Sequence, residues 1–185
     1  MQPPNMQKLD FVRIKLVKEQ SFPYEGELNT PGKIAAAFGE LLSEADREML
    51  LVLSFNSNMQ PIHATVASIG TLNCALVNGR EIFKSAILSN AANLILLHNH
   101  PSGNVTPSKQ DDETTKRMIF AGMLLGIPVV DHLILGGQNQ AFFSYREHGN
   151  FIQMEQIAKE ELLTAETPGL YVASKRPRKQ PSKMR

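Results

Sequence analysis

The stretch Leu94-Ile95-Leu96-Leu97-His98-Asn99-His100-Pro101-Ser102-Gly103-Asn104-Val105-Thr106-Pro107-Ser108-Lys109-Gln110-Asp111 decides how this chain is built. Its first four residues form an apolar run without polar alternation, which predicts a central strand covered on both faces. Residues at the end of such a strand sit where α/β sheets keep their chemistry. A Pro/Ser/Gly loop then leads to a helix predicted over Ser108 to Gly126, with Met118, Ile119, Met123 and Leu124 inward and Gly126 as its stop.

Upstream, Val12, Ile14 and Leu16 alternate with Arg13 and Lys15, the period-2 pattern of a first strand with one wet face. Thr30 before Pro31 is an N-cap followed by proline at the first helical position, and Ile34, Ala37, Phe38, Leu41 and Leu42 give a helix that ends near Ala45. Strands are predicted over Met49 to Phe55 and Pro61 to Ser68, and then a helix over about 80–91 with Ile82, Phe83, Ala86 and Ile87 on one side. Downstream, Pro128 to Leu135 and Ala141 to Tyr145 are strands joined by Gly136-Gly137-Gln138-Asn139, and Phe151 to Leu163 closes the domain as an amphipathic helix. The strand–helix alternation predicts a three-layer α/β/α domain with a mixed sheet over residues 1–164.

The 185 residues are 42% hydrophobic and 20% charged, which excludes a wholly disordered, collagenous or coiled-coil chain. The single cysteine, Cys74, excludes an internal disulfide framework and any zinc site built from several thiolates, and is most simply a small loop or packing residue. No apolar run approaches the roughly 20 residues of a membrane helix, and the opening Met1-Gln2-Pro3-Pro4-Asn5 lacks the basic and apolar regions of a secretion signal, so a cytoplasmic, reducing location is expected. The net charge of +1 hides an asymmetry: residues 165–185 hold six Lys/Arg against one acid, leaving residues 1–164 net acidic. That tail, with Pro168, Pro177 and Pro181, is predicted to be a disordered basic arm.

Side chains two apart on an extended chain point the same way, so His98 and His100 can bring both imidazoles to one point just past the strand. Zinc accepts imidazole nitrogen, and a catalytic site needs a third protein ligand, for which Asp111 in the first turn of the next helix is the nearest candidate. On local grounds two histidines at a strand end are equally ordinary turn residues, and Ser108-Lys109-Gln110-Asp111 is complete as an Asp variant of the capping box. The two roles of Asp111 are compatible, since one carboxylate oxygen can face a metal while the other stays near the helix start.

The full spacing, His-x-His, seven residues, Ser, two residues, Asp, is the JAMM or MPN metalloprotease signature. With His98-Asn99-His100-Pro101-Ser102-Gly103, Gly70-Thr71-Leu72-Asn73, Arg80-Glu81-Ile82-Phe83 and Asp131-His132, the chain resembles the RadC family over about residues 8–148. The resemblance implies a cytidine-deaminase-like JAMM/MPN (JAB) domain in which His98, His100 and Asp111 are zinc ligands and Ser108 helps to hold the oxyanion. It also implies a catalytic glutamate upstream, on the strand entering the site. Glu48, directly before Met49-Leu50-Leu51-Val52-Leu53, occupies that place, although taken alone it is a solvated charge at a strand start. Glu81 is the rival, and its position in a first helical turn also explains it as a complement to the macrodipole. Asp131-His132 is either a satisfied polar pair or a source of a hydrogen bond that orients a ligand imidazole; His63 and His148 are unassigned.

The implied activity is zinc-dependent hydrolysis of a peptide or isopeptide bond, with Glu48 moving the proton. A zinc deaminase is excluded, because its His-x-Glu and Pro-Cys-x-x-Cys elements are absent and one cysteine cannot supply two ligands. The remaining alternative is a DNA-repair or mobile-element-associated binding module with a structural or vestigial zinc site, whose basic tail, including Lys175-Arg176-Pro177-Arg178-Lys179, contacts DNA phosphates. Many RadC proteins carry an N-terminal helix-hairpin-helix region that has no counterpart in these residues. Substrate identity and oligomeric state are left open by the sequence.

Overall fold

The computed structural model describes residues 9–70, 77–136 and 141–166. Thr71-Leu72-Asn73, Cys74, the 137–140 part of the predicted hairpin and the basic tail from 167 onward lie outside the described residues.

In chain order the elements are α1 (Pro31–Ser43), β1 (Met49–Phe55), β2 (Pro61–Ile69), α2 (Gly79–Leu88), β3 (Asn93–Asn99), α3 (Lys109–Leu125), β4 (Val129–Leu135), β5 (Phe142–Ser144) and α4 (Asn150–Glu166). The five strands make one mixed sheet in the order β2-β1-β3-β4-β5. β1 runs antiparallel to both β2 and β3, while β3 and β4 are parallel, which requires a crossover that α3 supplies.

Alternation along the strands sorts two cores. Leu51, Leu53, Phe55, Ile95, Leu97, Leu133 and Leu135 pack with Ile34, Phe38 and Leu42 of α1. Leu50, Val52, Leu94, Leu96, Val129 and Ile134 face Ile82, Phe83, Met118, Ile119, Phe151 and Ala158 of the other three helices. The result is the expected three-layer α/β/α domain. Each large side chain so buried is worth about 1.5–3 kcal/mol against leaving it exposed, and β3 fills both cores, so its register is strongly specified.

Helix α3 begins and ends where its cap residues say it should. Ser108 is the N-cap, Asp111 completes a capping box, and Gly126 takes the left-handed conformation with φ 67 at the C-terminus. Gly122 lets the helix lie against the turn into β4: a Cβ there would meet the Ile127 carbonyl oxygen at 2.7 Å.

Four expectations need correction. Residues 9–25 contain no strand; Val12, Ile14 and Leu16 are 85%, 70% and 48% exposed, so the alternation has no dry face and no ladder to join. The apolar stripes drawn on α1, α2 and α3 are each one residue too wide, because Leu41, Ile87 and Leu124 are exposed. On α3 the buried face is instead continued by Asp111, Thr114 and Thr115.

Candidate metal centre

The β1–β3 register builds the floor of the site. Leu50 lies opposite His98 and Leu51 opposite Leu97, so extending the antiparallel pairing brings Glu48 opposite His100 on the same face as both histidines. Asn99, pointing to the other face and fully buried, holds this extension: its Oδ1 accepts the Met49 amide at 2.8 Å and its Nδ2 donates to the Arg47 carbonyl at 3.2 Å. Asn99 thus brackets Glu48 from both sides.

At the carboxyl end of β3 three side chains converge. His98 Nε2 is 3.0 Å from His100 Nε2 and 3.3 Å from Asp111 Oδ1, and His100 Nε2 is 3.5 Å from Asp111 Oδ2. Tetrahedral zinc with bonds of roughly 2.0–2.1 Å places neighbouring ligand atoms about 3.3 Å apart; with one atom taken from each residue the three lie within 4.8 Å of one another, close enough to draw in around an ion. Two imidazoles and one carboxylate are also a donor set suited to zinc. Among the described residues this is the group of histidine and acidic side chains close enough to hold a metal.

Asp111 serves both of the roles its sequence position allows. Oδ2 accepts the Ser108 amide at 2.8 Å and the Ser108 hydroxyl at 2.6 Å, while Oδ1 is turned toward His98. Burial alone would raise this carboxyl, but the His100 and His98 imidazoles beside it outweigh burial and hold the group ionised well below the usual carboxylate range. His98, with no exposed surface, is pushed down by burial against the pull of Asp111, whereas the partly exposed His100 is raised, chiefly by Asp111.

The rival glutamates separate clearly. The half-buried Glu48 acts electrostatically on both His98 and His100. Glu81 lies 52% exposed on α2, in an ion pair of 2.8 Å with Lys84, and exerts no such influence. His63 and His148 are also outside the cluster: His63 bonds Thr65 on β2 and His148 stacks on Phe143.

Of Asp131-His132, only His132 reaches the centre. Its Nε2 is 2.8 Å from His98 Nδ1, its Nδ1 is 2.6 Å from Thr115 Oγ1, and Tyr145 stacks on the ring at 5.3 Å. Burial lowers His132 well below the ordinary histidine value. Asp131 is taken up by the Ser144 hydroxyl and the amides of His132 and Arg146. Asn99, Thr115, Tyr145 and the Asn104 carbonyl, which lies 2.6 Å from His100 Nδ1, were not found from sequence. Only Thr115 left a signal there, a hydroxyl one helical turn after Asp111 on the same face.

A family model described as the RadC-like JAB domain matches residues 28–150. A protein of Rubrobacter xylanophilus designated UPF0758 is 41% identical over 122 residues, covering 66% of this chain and 52% of its own length. UPF0758 proteins of Desulforamulus reducens and Geobacillus thermodenitrificans are 43% identical over 122 residues and 44% identical over 103 residues, with 53% and 45% of their own lengths covered. The chain therefore spans about half the length of the curated relatives it matches, and their designation specifies no activity.

Proposed function

The chain belongs to the RadC-like JAB domain family, and from that premise and the geometry of its site we propose that it is a zinc-dependent metallohydrolase cleaving a peptide or isopeptide bond. One observation carries the reading: one ligand atom from each of His98, His100 and Asp111 lies within 4.8 Å of the other two at the end of a buried strand, beside a half-buried glutamate. His98, His100 and Asp111 are the residues that hold zinc. Zinc in such a three-ligand site supplies a Lewis acid and makes water nucleophilic near neutral pH.

The remaining work falls to the chain itself. Glu48, fixed by the Asn99 bracket on the histidine face, takes a proton from the attacking water and delivers it to the leaving amine. The Ser108 hydroxyl, which here donates its one proton to Asp111 Oδ2, would turn from that acceptor to donate to the developing oxyanion. No helix among the described residues is long and apolar enough to cross a membrane. A cytoplasmic protein acting on a peptide or isopeptide partner, with the basic tail as a secondary DNA contact, is the setting we propose.

Glu48→Gln tests this directly. It should leave zinc content unchanged while lowering turnover of whichever peptide or isopeptide substrate a broad screen identifies by about 100-fold or more. A fully active Glu48→Gln protein, or a zinc-loaded wild type inert toward the whole panel, contradicts the proposal. In the second case, a salt-dependent DNA mobility shift lost on deleting residues 172–185 would favour the binding-module alternative.

A further inference from the structure

Hydrogen-bond direction at the centre follows from counting protons. The Thr115 hydroxyl carries one proton and lies against the Asp111 backbone carbonyl at 2.6 Å and His132 Nδ1 at 2.6 Å, with the Tyr145 hydroxyl as a further neighbour. A carbonyl brings no proton, so the hydroxyl must donate to it, and the second contact is then made by a proton on His132 Nδ1. The reverse direction would leave two acceptor oxygens 2.6 Å apart with nothing between them. His132 is buried and its ring nitrogens meet Thr115 and His98, neither of them a carboxylate, so a second proton on this ring would be an uncompensated buried charge. Its Nε2 is therefore bare and accepts from His98 Nδ1–H across 2.8 Å.

We propose that Thr115 and His132 form a directional relay that fixes His98 in the tautomer with a bare Nε2, aimed at the point shared with His100 and Asp111. The inference rests on the metal-site reading for its purpose, though not for its geometry. His100 is oriented independently: its Nδ1 lies 2.6 Å from the Asn104 carbonyl, which demands a proton there, and its Nε2, 3.0 Å from His98 Nε2 and 3.5 Å from Asp111 Oδ2, is the atom turned to the shared point. Both imidazoles thus present Nε2.

The relay closes a ring. It begins at the backbone of one ligand residue, Asp111, and ends at the imidazole of another, His98, tying the first turn of α3 to the end of β3 through β4. A Thr hydroxyl bonded to the carbonyl four residues earlier is ordinary in helices; the added acceptance from His132 turns it into part of the site. Tyr145, stacked on His132 with its hydroxyl donating to Asp112 Oδ1 at 2.8 Å, holds the plane of the ring. A histidine ligand more often donates to a carboxylate, carbonyl or water. A neutral imidazole as acceptor leaves His98 neutral, so a divalent ion here is offset by the charge of Asp111 alone among its three ligands.

Long-range 1H–15N correlation on the full chain, labelled at histidine and metal-free at neutral pH, reads these tautomers directly. The relay predicts protons on Nδ1 of both His98 and His132, with His98 Nε2 bare. The isosteric Thr115→Val should mix the His98 tautomers and weaken zinc binding, measured by chelator competition, about 10–100-fold, while Thr115→Ser should stay within about threefold of wild type. His98 protonated on Nε2 in the wild type overturns the relay. So does a folded Thr115→Val protein with wild-type zinc affinity. A wild type that shows the predicted tautomers but takes up no zinc sustains the relay and overturns the proposed function instead.

Discussion

Two stretches rich in strand-forming residues have opposite fates in this molecule. Asn93–Asn99 is paired on both edges, covered on both faces and ends in a cluster whose ring nitrogens all have partners. Leu9 to Val17 is equally apolar, yet Phe11 is fully exposed and none of its neighbours joins a ladder. The difference lies in the partners. A strand is a relation between segments, and only where neighbours on both sides over-determine it can its end hold side chains to within a few tenths of an ångström. Such rigidity is what a preorganised metal site requires.

The contrast is broken most severely at the site itself. Asp111→Ala removes a ligand and the acid of the capping box together, and zinc affinity should fall by at least roughly two orders of magnitude in chelator competition; retention of tight zinc would separate the cluster from metal binding. Next in size is the support beneath it. Gly122→Ala forces a Cβ against the Ile127 carbonyl oxygen and the Val129 amide, both backbone, and should cost about 1–3 kcal/mol in denaturant unfolding.

A smaller effect is the acid sensitivity of the metal-free protein. His98 and His132 are depressed by burial from the ordinary 6.5, so the unfolded chain takes up their protons first, and stability should fall as pH drops below about 6.5. His100 opposes this, since its raised value contributes stability at low pH that is lost as pH rises through it, and the raised Asp131 carboxyl acts the same way, but three depressed histidines, His63 with His98 and His132, face these two raised groups. Unfolding midpoints that climb steadily from pH 7 to pH 5 would reverse the sign. The smallest change should come from the other stretch. Removing the chain through Gln20, while keeping the Phe22–Phe38 stack, should move the melting temperature by less than about 2 °C, well under ~1 kcal/mol. A large loss would show that this segment has a partner after all.

Legibility in the sequence follows the same division. Met49–Phe55 and the caps of α3 were readable because burial on both faces and the chemistry of Ser108 and Gly126 are local facts. The pairing of residues 9–17 is not local, and alternation alone could not supply it. The trio of His98, His100 and Asp111 was legible as a spacing, and the extended pairing of β1 beside β3 places Glu48, not Glu81, on the histidine face. Asp131-His132 could be seen only as a pair, because which member faces the site depends on a register shift in the β3–β4 ladder between Leu94 and Ile95. Thr115 and Asn99 could not be singled out: a threonine one helical turn after Asp111 is a faint signal, and both it and an asparagine between two histidines have many ordinary uses.

The most direct test is the metal content of the purified full chain by elemental analysis, with His98→Ala alongside. The account predicts close to one zinc per chain in the wild type and essentially none in the variant. A wild-type protein that takes up no divalent metal, or a His98→Ala protein that keeps it, contradicts the claim that β3 and α3 were brought together to hold an ion.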